Sequence, residues 1–496
     1  MNAVANAVRT IVTAIANPSD YQYALFDWVV NGTGNVIVEA VAGSGKTTTG
    51  VEMTRLCRGS VIYLAFNKPI ATELQTRGVN GKTFHSMCYG PVTSFKRTKQ
   101  VDSGKLNTLM REHFPENVRR VYGTFMTRMV GLARQAGIGA GLAPNTTEEW
   151  LAIADHHDLE PDSDKGTMEE GVTYAMELLA LSNSSNLIDF DDLLYLAVKE
   201  GLSLPKYDWV FVDEAQDTNA IQRALLRKIL KPTSRMVCVG DPAQAIYGFR
   251  GADSDSMALL AEEFGCVKMP LTVTYRCPKS VVEFARNWVE HIEAAPNASD
   301  GLVNEFPKWN TKSFVDGDLI VCRTTKPLVS LAYRLIRSQV PAHVMGREIG
   351  QGLRKLVEKM NAKGLDALVA KLEDHTRREV EKAVAKGDDA KAEAIRDKTE
   401  CVLCIADGLP ETDRSVPALL RAIDSLFTDS DAGVKLATIH KAKGLEADRV
   451  YWLNSSKCPA QWARQDWQKQ QEANLCYVAA TRAKRELVLI EEDDER

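Results

Sequence analysis

The chain of 496 residues is poor in cysteine, with ten scattered from Cys57 to Cys476. A disulfide scaffold needs several times that density, so the thiols are expected to be reduced, as in a cytosol-like compartment. No apolar run approaches the ~18 residues of a membrane span. Neither charge is in large excess: 61 Lys and Arg against 66 Asp and Glu leave a net −5. That balance excludes a histone-like polycation, but an acidic body can still line one groove with positive charge. No second cysteine pair completes Cys401-Val402-Leu403-Cys404, which therefore reads as two small core residues on a helix. The first twenty residues lack the basic start and long apolar stretch of a leader and read as an amphipathic helix. Solenoid repeats and low-complexity linkers are absent as well. What is present is an ordinary globular composition, 45% hydrophobic and 26% charged. The length suggests about three domains of ~150 residues, and at least two.

Short apolar runs bounded by turn residues occur in two sets. The first set is Val36–Ala40, Val61–Phe66, Trp209–Glu214 and Met236–Gly240; the second is Leu319–Arg323, Lys435–His440, Arg449–Leu453 and Glu486–Ile490. Runs that are apolar throughout suit strands covered on both faces, as in a parallel sheet between helices. The fold class expected is therefore α/β, twice over. Between the strands lie helical tracts at about 91–187 and 349–432. The second contains the charged run Lys371–Glu400, broken at Gly387-Asp388-Asp389, which reads as a solvated helical hairpin.

The run Val36–Ala40 leads directly into Val41-Ala42-Gly43-Ser44-Gly45-Lys46-Thr47-Thr48. A strand, a glycine-rich turn and a helix start make a phosphate-binding loop, although Ala40 stands where the usual pattern has its first glycine. Gly43 and Gly45 let backbone N–H groups curl around phosphate oxygens, aided by the positive end of the helix. Lys46 would reach the β- and γ-phosphates, and the Thr47 hydroxyl would ligate Mg²⁺. A second acid is needed to hold that ion and orient water. Asp213 and Glu214, ending an apolar run, supply the ion ligand and the base. Together the two motifs imply nucleoside-triphosphate hydrolysis.

Further motifs carry a specific resemblance. Asp213-Glu214-Ala215-Gln216-Asp217 and Val239–Ala252 resemble motifs II and III of superfamily 1 helicases of the UvrD/Rep/PcrA branch. Gln22 resembles the Q motif, Tyr63–Ala71 motif Ia, and Thr83-Phe84-His85-Ser86 the next strand-side motif, followed by Asp189–Leu194. Thr274-Tyr275-Arg276-Cys277 resembles motif IV, Thr438–Glu446 motif V and Leu475–Ala483 motif VI. Leu64-Ala65-Phe66-Asn67-Lys68 is similar to the short forms of the branch, phage-encoded ones and the catalytic part of the F-box helicases among them. The resemblance implies two RecA-like parallel-sheet domains, each with a helical insertion. The first takes 1–90 and 188–268, with 91–187 inserted; the second takes 269–348 and 433–496, with 349–432 inserted.

It also implies ATP at a cleft between those domains. Lys46, Asp213, Glu214, Gln244, Arg276 and Arg482 would be catalytic, the two arginines acting in trans on the transferred phosphoryl group. Gln22, Ala42, Gly43, Ser44, Gly45, Thr47, Thr48, Tyr275 and Glu446 would complete the nucleotide site, with Thr47 and Asp213 on the metal. Single-stranded DNA would meet Phe66, Asn67, Lys68, Thr83, Phe84, His85, Tyr247, Phe249, Arg250, Thr438 and His440. The alternation of Tyr247, Phe249 and Arg250 by itself suits a core strand; the resemblance selects base stacking. The implied activity is an ATP-dependent helicase or translocase moving 3′ to 5′. The alternatives are a translocase that strips bound proteins with little unwinding, and a nucleic-acid-gated ATP clamp. Implied partners are single-stranded DNA, single/double-strand junctions and replication or repair proteins, with no membrane and a monomeric or weakly self-associating chain. Its place would be the cytoplasm of a bacterium or phage-infected cell, or a eukaryotic nucleus.

Overall fold

The computed structural model describes residue 15 and residues 17–161, 166–248, 251, 255–305, 307–385, 387–430 and 432–492. Most of the expected N-terminal helix lies outside the described residues. The chain divides into two units. One comprises Met1–Ala40 and Gly45–Leu271, the other Val41–Ser44 and Thr272–Arg496.

The first unit is built on six strands: β1 (Asn35–Ala40), β2 (Val61–Ala65), β3 (Gly81–Thr83), β4 (Tyr207–Val212), β5 (Leu230–Gly240) and β6 (Cys266–Leu271). All pair in parallel, in the order β3-β2-β4-β5-β1-β6. Side chains alternate across the sheet with the period of two that a pleat imposes. Ile37, Ile62, Leu64, Val210, Val212 and Cys238 point to one face, and Val36, Val38, Tyr63, Phe211, Val237 and Val239 to the other. The second face is covered by helices Asp20–Asn31 and Lys46–Leu56, through Leu25, Phe26, Val51 and Met53. The first face shares one continuous core with the helical tract, reaching Met126, Met129, Val130, Trp150 and Leu178.

An ion network is buried where that tract meets helix Phe190–Lys199. Lys105 Nζ lies 2.6 Å from Asp192 Oδ2 and donates to the Ser182 carbonyl at 2.8 Å, with both charged side chains fully buried. Arg134 Nη1 donates to the Asp189 carboxylate at 2.8 and 3.0 Å, and its Nη2 lies 3.2 Å from Asp192 Oδ1. Asp189 and Asp192 also cap the helix reciprocally. Two cations thus face two anions.

The second unit has a small pair, β7 (Val273–Thr274) with β8 (Glu293–Ala294), and a six-stranded sheet. Its strands are β9 (Leu302–Glu305), β10 (Leu319–Cys322), β11 (Ala342–Val344), β12 (Val434–Thr438), β13 (Ala447–Leu453) and β14 (Ala483–Ile490). Their order is β11-β12-β10-β13-β14-β9, again parallel throughout. Both units are therefore RecA-like α/β bodies. The charged run forms helices Leu365–Ala385 and Asp389–Asp407, with Gly387 at φ 74° in the turn and Asp388 capping the second helix. Leu368, Leu372, Val402 and Ile405 face inward, and Asp397 accepts from the Thr325 and Lys326 N–H groups. Cys401 is fully buried in this hairpin. Among the described residues no helix is long and apolar enough to cross a membrane.

Candidate functional site

Gly45, at φ 77°, ends the phosphate loop and precedes helix Lys46–Leu56; Gly43 also has positive φ, 72°. Both glycines hold a conformation that other residues enter only with strain. The Ser44 hydroxyl is buried without a hydrogen-bond partner among the described residues. Lys46 Nζ lies 3.9 Å from Glu214 Oε1.

The two acids follow β4 directly. The Asp213 N–H donates to the Leu64 carbonyl at 2.9 Å, which continues the β2–β4 ladder past the strand end. Glu214 then sits in the left-handed region at φ 50°. That conformation costs a non-glycine residue about 1–3 kcal/mol and is concentrated at functional sites. Burial pushes the Asp213 carboxyl up to about 7, with the neighbouring Glu214 charge adding to the rise and Lys46 opposing it. Thr47 Oγ1 and Asp213 Oδ2 are 3.5 Å apart. That is longer than an ordinary O–H···O bond, so both hard oxygen donors keep lone pairs for a cation, a donor chemistry that suits Mg²⁺.

Gln216, to which the sequence pointed no role, links the two acidic motifs. Its Nε2 donates to Glu214 Oε2, and its Oε1 accepts from the Asp241 N–H at 3.0 Å. Asp241 in turn accepts from Gln244 Nε2 at 2.6 Å. A side chain bridging Glu214 to the turn after β5 thus ties Glu214 to Gln244 through Asp241. Only the proximity of β4 and β5 reveals it. Gln22 is buried, forms a capping box with Ser19 and donates from Nε2 to Thr49 Oγ1 at 2.9 Å. It is thereby fixed beside the helix that begins at Lys46. Thr48 accepts from Arg77 at 3.3 Å.

The residues of this unit expected to meet single-stranded DNA fall into three groups. Phe66 is 42% exposed and stacks on Tyr247, with centroids 5.8 Å apart and planes 6° from parallel. Asn67 and Thr83 cap helices Lys68–Thr76 and Phe84–Lys96, while Lys68 is exposed and Phe84 is in the core. His85, whose imidazole burial holds below its ordinary pKa, meets Phe190 edge to face at 6.4 Å. Phe190, 57% exposed, belongs to the Asp189–Leu194 motif but is not among the residues expected to meet DNA. Its signal in sequence was an aromatic between acids at a helix start. Phe249 and Arg250 lie outside the described residues.

In the second unit Arg276 Nε donates to Glu446 Oε2 at 2.7 Å. Burial raises the Glu446 carboxyl, but the charge and hydrogen bond of Arg276, with Lys484 and Arg482 adding to them, together hold it below the usual range. Arg482 is buried, donating to the Val478 carbonyl at 2.8 Å and to Thr481 Oγ1 at 2.9 Å. Tyr275 is 47% exposed. Within the same unit the Ala42 N–H donates to the Tyr477 hydroxyl, and the Gly43 carbonyl accepts from the Tyr275 N–H, both at 2.9 Å. Thr438 caps the short helix Ile439–Ala442, on which His440 is partly buried.

Comparison with known proteins agrees with this geometry. Residues 26–265 match the UvrD/REP helicase N-terminal domain, and residues 415–493 match the UvrD-like helicase C-terminal domain. The F-box DNA helicase protein 1 of Schizosaccharomyces pombe is 24% identical over 97% of this chain and 59% of its own length. The F-box DNA helicase 1 of Gallus gallus is 25% identical over 92% of this chain and 47% of its own. A probable DNA helicase II homolog of Mycoplasma pneumoniae is 22% identical, covering 93% of this chain and 82% of the relative. The chain thus spans about half the length of the two F-box relatives.

Proposed function

The chain belongs to the UvrD/Rep-type family of superfamily 1 helicases, and on that premise we propose that it hydrolyses ATP to move 3′ to 5′ along single-stranded DNA and open duplex. The observation that carries the reading is the cluster of Lys46, Thr47, Asp213 and Glu214 at the ends of β1 and β4. Strand ends on this side of a parallel α/β sheet are where such folds bind ligands. Lys46 neutralises phosphate charge, and Glu214 positions the attacking water and takes its proton. Thr47 and Asp213 hold Mg²⁺, which when bound would neutralise charge on the phosphate oxygens. Arg276 and Arg482 serve as the arginines supplied in trans, and Gln244 senses the γ-phosphate through its tie to Asp241 and Gln216. Tyr275 stacks on adenine, Gln22 reads its edge and Glu446 binds the ribose.

On the strand side, the parallel Phe66 and Tyr247 rings form a platform for bases, because every base offers a π-face. Residues 91–187 and 349–432 are the two helical insertions of this scheme. Steady-state ATPase measured with single-stranded DNA and RNA of increasing length tests the reading. Turnover should rise with DNA length and vanish in Lys46→Ala while strand binding persists. Turnover independent of length would replace the motor with a clamp, and ATPase surviving in Lys46→Ala would overturn the site.

A further inference from the structure

Tyr63 lies in the middle of β2 with its side chain fully buried, and its hydroxyl has no hydrogen-bond partner among the described residues. A buried hydroxyl without a partner costs about 1–3 kcal/mol, so a Tyr in a strand that could hold Phe needs a reason. The ring itself needs none: it stacks on Phe211 at 5.4 Å and fills the core beneath helix Lys46–Leu56. The reason sought concerns the oxygen alone.

Register locates that oxygen. Tyr63 pairs with Phe211 and Leu64 with Val212, and the Asp213 N–H bonds the Leu64 carbonyl. Phe211 and Asp213, two residues apart, point to the same face as Tyr63. Above that face the phenol ends against Gly50, where a Cβ would collide with the hydroxyl and come 3.0 Å from Cε2. Thr47, one helical turn before Gly50, lies 3.5 Å from the Asp213 carboxylate. The phenol and the carboxylate therefore lie beneath one turn of one helix. Gly50 is the residue that lets the tyrosine reach there.

We propose that Tyr63 is a positioning residue for Asp213, its hydroxyl donating to the carboxylate oxygen turned away from the metal once the divalent cation and nucleotide are bound. The inference rests on the proposed assignment of Thr47 and Asp213 to Mg²⁺. Carboxylates that ligate metals are themselves held by hydrogen bonds, and losing such a donor typically weakens metal affinity about 10- to 100-fold.

The test is a Mg²⁺ titration of the full chain with a fluorescent ADP analogue, read as binding rather than turnover, in wild type and Tyr63→Phe. The variant should fold with unchanged or higher thermal stability, because the hydroxyl it loses had no partner. Its apparent Mg²⁺ affinity in the presence of nucleotide should fall about 10- to 100-fold, while nucleotide affinity in EDTA stays the same. Equal Mg²⁺ affinity in the two proteins would overturn the role of Tyr63 and leave the metal site standing. Equal loss with and without Mg²⁺ would also overturn it, by showing a general packing effect. A wild type whose nucleotide binding ignores Mg²⁺ would overturn the metal assignment itself, and the inference with it.

Discussion

Replacing Lys105 by Met isolates what the buried ion network contributes to the fold. In the native structure two cations, Lys105 and Arg134, face two anions, Asp189 and Asp192, with the Lys105 and Asp192 side chains wholly out of water. Methionine nearly preserves the length and volume of the stem, so lost packing contributes less than ~1.5 kcal/mol. The larger effect is electrostatic. Without the ammonium, one negative charge is left uncompensated in the core, the Ser182 carbonyl loses its donor, and the expected destabilisation is about 3–5 kcal/mol. The double variant Lys105→Met with Asp192→Asn restores neutrality through the remaining Arg134–Asp189 pair. It also keeps an acceptor for the Asp189 N–H, which Asp192 Oδ2 meets at 2.9 Å. It should therefore be more stable than the single lysine variant, with a coupling energy of about 2 kcal/mol. Urea denaturation followed by far-UV circular dichroism on wild type, both single variants and the double variant supplies the cycle. A loss below about 1 kcal/mol in Lys105→Met, the range of an exposed pair, or simple additivity in the double variant, would refute the argument.

Two further outcomes follow from neighbouring features. Asp191 is partly buried beside that network, and burial, then the Asp189 charge, push its carboxyl up to about 6. A carboxyl raised in the folded state is protonated there below about pH 6, and its ionisation destabilises the fold as pH rises from about 4 through 6. Asp191→Asn should therefore gain about 2–3 kcal/mol over wild type near pH 8 and almost nothing near pH 4, and a gain of the same size at both would contradict the shift. On the strand side, Phe66→Ala removes half of the Phe66–Tyr247 pair. Fluorescence anisotropy should show single-strand binding weakened about 5- to 150-fold, a loss of about 1–3 kcal/mol, with purine and pyrimidine strands affected alike. A loss confined to one base type would argue against stacking.

How much could be read before the structure divides along a physical line. The four runs picked out in each set became β1, β2, β4 and β5 in one sheet and β10, β12, β13 and β14 in the other. These are the interior strands, covered by neighbours on both edges and by helices on both faces, so nothing in them needs to be polar. Within these two sheets the strands that escaped notice, β3, β6, β9 and β11, are the four edges, and the two-residue strands β7 and β8 of the small pair escaped as well. β6 shows why: Val267 is 55% exposed, Lys268 pairs with Glu39 at its surface and Pro270 interrupts its pattern. An edge strand has no single periodicity to betray it. The site divides in the same way. Lys46, Thr47, Asp213 and Glu214 were legible because each follows an apolar strand directly. Gln216, Phe190 and Tyr63 meet partners distant in sequence, in the turn after β5, at His85 and under Gly50. Distances between those pairs exist only after folding.

The placement of the helical tract bears on the order in which the first sheet can assemble. β2 and β4 are neighbours in the sheet, yet the whole tract lies between Ala65 and Tyr207 in the chain. Closing a flexible loop of that size costs about 4 kcal/mol of chain entropy before the first β2–β4 hydrogen bond forms. The tract shares its core with the very face those strands present, through Ile62, Leu64, Val210 and Val212 against the cluster that holds Met126 and Trp150. Helices that collapse early shorten the gap and offer both strands one apolar surface on which to meet. In the folded chain the tract thus supplies the apolar surface on which the centre of the sheet rests, and Asp213 stands one residue past a strand so covered.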